Sequence, residues 1–247
     1  MSSRTELERV RPRVQPLLDT RSSADALASY YALYHAPARS ELFVHPERAA
    51  PGAEPAAGFL VRARTGLDLF RPLVTFRGPN EAVVAALVER GLQPGRPTYL
   101  TVPERLAPWA NKYLTVTEAE LHRVYRHNPQ RYQPIINVLV VTNTGADGLP
   151  RCEIRAGDRA GAVAGINWQS PEFAEVYVYA DPAVRGRGWG KSVVAALVGL
   201  IRQSGRTPLY VVAESNGYSI RLAEAVGFDD TGHREYVGHA VRPAPAA

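Results

Sequence analysis

Apolar residues in this chain alternate between two rhythms, one of period two and one of helical spacing, and the alternation runs through both halves. In the first half, GFLVRART (58–65), PLVTFRG (72–78) and PTYLTV (97–102) read as strands. NEAVVAALVERGL (80–92) reads as a helix opened by Asn80. Residues 1–20 read as an amphipathic helix interrupted by Pro12 and Pro16, and Ser23–Tyr34 as a second helix. HPERAAPGAEPAAG (45–58) reads as a loop. In the second half INVLVVTN (136–143), CEIRA (152–156), AVAGINW (162–168), AEVYVYA (174–180) and LYVVAES (209–215) read as strands. KSVVAALVGLIRQSG (191–205) and GYSIRLAEAVGF (217–228) read as helices. Strands alternating with helices predict an α/β layered fold.

The two halves also match each other. A shift of 110 positions lays VVAALVERGLQPGRPTYLTVPE (83–104) on VVAALVGLIRQSGRTPLYVVAE (193–214), with 11 of the 22 positions identical. The match passes from the helix through the turn into the next strand, which favours a pseudo-duplicated pair of units. RHNPQRYQPI (126–135) mixes turn residues with prolines. A boundary placed there gives a degenerate first domain over 1–128 and a second domain over 129–247.

The composition narrows the classes. The 247 residues are 45% hydrophobic and 21% charged, as in a soluble globular protein. No apolar run is long enough for a membrane span, and the charged start lacks a signal-peptide core, so a cytoplasmic protein is expected. The lone cysteine, Cys152, fits a reducing compartment. The net charge of +5 invites a nucleic-acid reading. However, the arginines are dispersed among nearly as many acids, so no nucleic-acid partner is expected. The six histidines show no metal-ligand spacing, and no metal is expected.

The chemistry concentrates in VRGRGWGKS (184–192), a glycine-rich basic turn at the start of a helix, where backbone N–H groups and the helix dipole favour phosphate. A nucleotide P-loop would need glycine at Arg185, and starting from Gly186 leaves the loop one residue short. The dinucleotide fingerprint fails because its last glycine falls on Lys191 or Val193. The pattern [QR]-x-x-G-x-[GA] is met by Arg185, Gly188 and Gly190. In the register of the repeat, Gly186, Gly188 and Gly190 fall opposite Phe76, Gly78 and Asn80, so only the second half keeps the anion cradle.

At these residues the second half resembles the GNAT superfamily of acyl-coenzyme-A-dependent N-acyltransferases. Upstream, EVYVYADP (175–182) is similar to the family's fourth strand and the turn after it. Downstream, NGYSIRLAEAVGF (216–228) is similar to its N-x-x-[AS]-x-x-L-[Y]-x-x-x-G-F segment. The first half then resembles the degenerate copy of tandem members. The resemblance implies a three-layer fold with a mixed, mostly antiparallel central sheet flanked by helices. It implies acetyl-CoA or another acyl-CoA as cosubstrate, with direct transfer to the amine of a small molecule or a protein.

Cofactor-binding positions under that resemblance are Val178, Tyr179, Ala180, Arg185, Gly186, Arg187, Gly188, Trp189, Gly190, Lys191, Ser192 and Asn216. Glu175 is the candidate general base, read otherwise as an exposed strand-edge carboxylate, and Glu214 is its reserve. Tyr177 and Tyr179 share a face and line either an acceptor pocket or the sheet surface. Ala223 stands where the family often carries a tyrosine that protonates the thiolate, and Tyr218 or Ser219 is the expected substitute. That departure leaves a catalytically silent acyl-CoA sensor as the rival reading. A homodimer stays open.

Overall fold

The computed structural model describes residues 3–47, 55–66, 68, 70–145 and 147–244. The chain forms two compact units, Met1–His122 with Arg234–Ala247, and Arg123–His233.

The first unit contains α1 (Ser3–Val14), the single turn α2 (Ala26–Ser29), β1 (Ser40–His45), β2 (Gly58–Ala63), β3 (Leu73–Arg77), α3 (Glu81–Gly91), β4 (Pro97–Pro103) and α4 (Ala107–Tyr113). It also holds the start of β5 (Thr115–His127). The second holds the rest of β5, then β6 (Val141–Thr144), β7 (Pro150–Ala156), β8 (Arg159–Gln169), β9 (Phe173–Ala180), α5 (Trp189–Gln203), β10 (Thr207–Ala213) and α6 (Gly217–Ala225). The last strand, β11 (Phe228–Val241), begins in the second unit and ends in the first, where Glu235–Val241 pair antiparallel with β4. A division at 128/129 cuts the chain once. The compact units divide it at two points, because each takes part of β5 and part of β11.

Within the first unit the strand order is β1-β2-β3-β4-β11, and within the second it is β5-β10-β9-β8-β7-β6. Pairing is antiparallel for β1/β2, β2/β3, β4/β11, β6/β7, β7/β8 and β8/β9, and parallel for β3/β4 and β9/β10. The expected mixed, mostly antiparallel α/β sheet is thus present, with helices packed on it.

The helical rhythm has a direct structural consequence. In α5, Val193, Val194, Leu197, Val198 and Ile201 face β7–β10 and form the core of the second unit with Ile154, Ile166, Val176 and Phe228. Each such side chain contributes about 1.5–3 kcal/mol on burial, which outweighs the modest helix propensity of the valines. In α3, Val83, Val84, Leu87 and Val88 do the same against Leu60, Val74, Phe76 and Leu100.

The structure departs from the sequence reading in three places. Pro12 does not interrupt α1, which runs through it to Val14 and tightens into a 3-10 turn at Gln15–Leu17. INVLVVTN is not a strand throughout: pairing covers only Val141–Thr144. Asn137 explains the loss. Its side chain accepts the N–H of Leu139 at 3.0 Å while its amide donates to Ser192 Oγ at 3.1 Å, a local turn that competes with strand geometry. Finally β1, β5 and β11 were not expected as strands. Residues 48–54 of the predicted loop at 45–58 lie outside the described residues. No described helix is long and apolar enough to cross a membrane.

Candidate active site

The site of the second unit starts from a parallel pair that stops early. Phe173, Ala174 and Glu175 of β9 register with Thr207, Pro208 and Leu209 of β10, and among the described residues the pairing ends there. Beyond it, β9 runs on to Ala180 paired only with β8, and β10 runs on to Ala213. The two strands therefore part toward their C-terminal ends and leave a wedge. Val176 is part of the core, and Val178 and Ala180 pack against it. Glu175, Tyr177 and Tyr179 alternate onto the opposite face. The Tyr177 ring lies so close over Gly165 that a Cβ there would sit 2.5 Å from it. Tyr179 is 53% exposed.

At the end of β9 the chain turns through residues 181–188. Asp181 Oδ1 accepts the N–H of Ala183 at 2.8 Å and starts a 3-10 turn over Pro182–Val184. Gly186 (φ 78°) and Gly188 (φ 74°) are then left-handed, a conformation costly for any residue with a Cβ. No atom approaches within 4 Å of where their Cβ atoms would be. Gly188 is also the N-cap of α5, and no side chain caps that helix. Among the described residues the first-turn N–H groups of α5 thus have no side-chain cap, and the loop before and into that turn carries Arg185, Arg187 and Lys191. This arrangement fits a diphosphate, which needs close backbone donors and positive potential.

Other residues of the motif shape the loop. Trp189 packs over Gly161, and the Arg187 guanidinium lies 5.6 Å from its ring centroid. A Cβ on Gly190 would sit 3.0 Å from Leu222, so glycine there lets α5 approach α6. Ser192 is buried. Its hydroxyl donates to Gly188 O at 3.2 Å and accepts from Asn137, so it closes the loop. Lys191 borders a cavity of about 410 Å³ that Arg131, Gln133 and Glu224 also line.

The candidate catalytic residues separate into paired and accessible groups. Glu175 accepts from Asn167 Nδ2 at 2.7 Å and from Trp168 Nε1 at 2.5 Å. The β8/β9 register shifts between Ile166 and Trp168, and this irregularity brings two consecutive side chains onto one carboxylate. Glu214 pairs with Arg123 at 3.1 Å, and Arg123 lies 3.6 Å from Asp230. Asn216 caps α6, accepting the N–H of Ser219 at 3.1 Å. Tyr218 is 48% exposed. Ser219 Oγ is 2.6 Å from the hydroxyl of Tyr210, whose burial pushes its pKa up. Ala223 is fully buried in the core and offers no hydroxyl. Cys152 is also buried, 3.8 Å from Thr142 Oγ1, and burial pushes its thiol up. A thiol held protonated in the core is a packing residue.

Sequence reasoning missed Asn167, Trp168 and Tyr210. The tyrosine was within reach, because it lies six residues before Asn216 in a strand that the sequence marks. The other two depend on a bulge that no local pattern announces.

Residues 155–237 match the FR47-like protein family. No curated protein sequence matches the chain. Among solved structures, the chain superposes on a tandem GNAT protein of the clavulanic acid biosynthesis pathway with a TM-score of 0.61, at 14% identity, over 100% of this chain and 98% of that one. A Drosophila protein gives a TM-score of 0.65 at 11% identity, over 98% and 97%. A protein of the GNAT family from Novosphingobium aromaticivorans gives 0.59 at 20% identity, over 75% and 89%. At these identities the likeness establishes the fold. The chain has the GNAT fold, and the resemblance seen in its second half carries an FR47-like sequence match.

Proposed function

We propose that the second unit of this GNAT-fold chain binds an acyl-coenzyme A, with acetyl-CoA the expected form, and transfers its acyl group directly to a primary amine. The observation that carries the reading is the uncapped start of α5 behind left-handed Gly186 and Gly188, set at the open end of the β9/β10 wedge. In this reading the first-turn N–H groups, Arg185, Arg187 and Lys191 hold the pyrophosphate. The backbone of Val178–Ala180, not paired with β10, holds the pantetheine arm and polarises the thioester carbonyl. When bound, the coenzyme supplies an activated acyl group and a thiol leaving group.

Glu175 takes the proton that the attacking amine must lose. Asn167 and Trp168 fix both of its oxygens, so the carboxylate is oriented before substrate arrives. Tyr177 and Tyr179 share its face and flank the acceptor. Asn216 acts through α6, whose first turn its side chain shapes.

Two measurements test the reading. Calorimetric titration with acetyl-CoA should give saturable binding that Gly188→Asp removes, because a carboxylate would stand at φ 74° where the phosphate belongs. Thiol release from acetyl-CoA over a panel of amines should then depend on Glu175, with Glu175→Gln retaining coenzyme binding. Undiminished binding by Gly188→Asp would move the site elsewhere. Binding with no thiol release on any amine would leave a coenzyme-sensing protein instead.

A further inference from the structure

The second unit turns a cluster of apolar side chains into solvent. Of the eight exposed large apolar or aromatic residues among those described, Ile136, Val138, Leu139 and Val141 lie within six positions, and the first two are 93% exposed. The segment is anchored on both sides of them. Ile135 and Val140 pack on the core, and Asn137 holds the N–H of Leu139 and Ser192 Oγ. The chain then enters β6, the outermost strand of the unit. β6 pairs with β7 on one side, and all four of its residues are exposed. Its other edge presents backbone N–H and C=O groups with no strand partner among the described residues.

A free strand edge is satisfied by another strand, which a helix, its backbone groups already paired, cannot replace. Charge narrows the choice. Residues 132–146 include no Asp, Glu, Lys, Arg or His, in a chain that is 21% charged and carries a net charge of +5. Two such chains repel, so they meet best through a neutral face, whereas an anionic membrane selects a basic one. The strand is also compatible with itself. In antiparallel self-pairing about a two-fold axis through Thr142 or Asn143, opposite residues are an even number of positions apart, so like faces meet. Every side chain of β6 then faces an uncharged partner, and no like-charge pair opposes the ladder.

We propose that residues 136–144 form an isologous contact between two copies of this chain, with the β6 edges paired antiparallel and Ile136, Val138, Leu139 and Val141 covered. The contact does not depend on the acyl-transfer reading. It is small: nine residues a side, against about 20–30 in a standard interface, place half-dimerisation in the range of tens of micromolar.

Sedimentation velocity of the full chain from about 1 to 200 µM spans that range. The wild type should pass from monomer to dimer. The double variant Ile136→Glu with Val138→Glu should stay monomeric throughout. Its melting temperature should match wild type, because both side chains already stand in solvent. Asn143→Lys and Asn143→Glu should each be monomeric alone, since self-pairing sets like charges beside one another, and an equal mixture should recover the dimer. A wild type that stays monomeric at the highest concentration overturns the proposal, as does a dimer that survives the double variant. No recovery in the mixture overturns the antiparallel self-pairing. Cosedimentation of a monomeric wild type with phosphatidylserine vesicles, lost in the double variant, would assign the face to a lipid surface and overturn the contact between copies.

Discussion

In the first unit, β3 leads into α3 through Gly78, Pro79 and Asn80, and Asn80 turns its own side chain onto the N–H of Val83 at 3.0 Å. In the second, β9 leads into α5 through residues 181–188, with two left-handed glycines and no side-chain cap. The same helix start is satisfied internally in one copy and left open in the other. A capped N-terminus has spent a donor that an anion would need. Register extends the contrast. Leu73 of β3 pairs with Tyr99, and Glu175 of β9 pairs with Leu209, 110 positions after Tyr99. Leu73 thus holds in the first unit the place that Glu175 holds in the second. Thr75 and Arg77 likewise stand in the places of Tyr177 and Tyr179. Arg77 is buried and committed to Asp25 (3.3 Å), Thr75 (3.2 Å) and the carbonyl of Phe76 (3.0 Å). Glu235, also buried, accepts from Thr101 at 2.9 Å. Both copies keep the parting strands. Among the described residues, only the second leaves its helix start without a side-chain cap, and only there does the parallel pairing end on a carboxylate, Glu175.

The contrast can be broken from either side. The largest expected effect is on binding: Gly188→Asp or Gly190→Asp should weaken acetyl-CoA by more than about 100-fold, equivalent to about 2.7 kcal/mol. A calorimeter reads this directly, and Gly190→Asp adds a clash with Leu222. Next, Glu175→Gln should lower kcat by about 10²–10⁴ in the thiol-release assay, with acetyl-CoA affinity retained.

A third effect is shared by the units. His35 in the first and His127 in the second are buried, and burial holds each near pKa 4, against 6.5 when free. A histidine whose folded pKa is depressed binds its proton in the unfolded chain first. Stability should therefore be complete above about pH 6.5 and decline as pH falls toward 4. Thermal melts at stepped pH check this, and a flat profile across that window would contradict it. The smallest effect is Asn80→Ala, which should cost about 1 kcal/mol of stability through the lost cap in a melt and leave acetyl-CoA affinity unchanged.

The helix-strand rhythm, the glycine loop and the Asn216 segment were legible because each depends on local chemistry: helical spacing, left-handed glycine, a side-chain cap. The repeat was legible from the helix into β4 and β10, but the strand registers set β9 only 102 positions after β3. Phe76 thus corresponds to Val178 and not to Gly186, and the second unit carries eight extra residues between strand and helix. Other features depended on contacts distant in sequence. β5 and β11 carry mixed polar patterns, and each is shared between the two units, so no alternation of one buried face marked them. Asn137 undid a run of β-branched residues by a turn whose second anchor, Ser192, lies 55 residues away. The fixing of Glu175 by Asn167 and Trp168 required a bulge between Ile166 and Trp168. The left-handed glycine turn before α5 could therefore be read from sequence, whereas the groups that hold Glu175 emerged only from the fold.

The central claim is that the duplicated chain keeps a single coenzyme seat. Isothermal titration of the full chain with acetyl-CoA tests it most directly. One molecule bound per chain, abolished by Gly188→Asp and retained by Asn80→Ala, is the predicted result. Two molecules per chain, or one that survives Gly188→Asp, would contradict it.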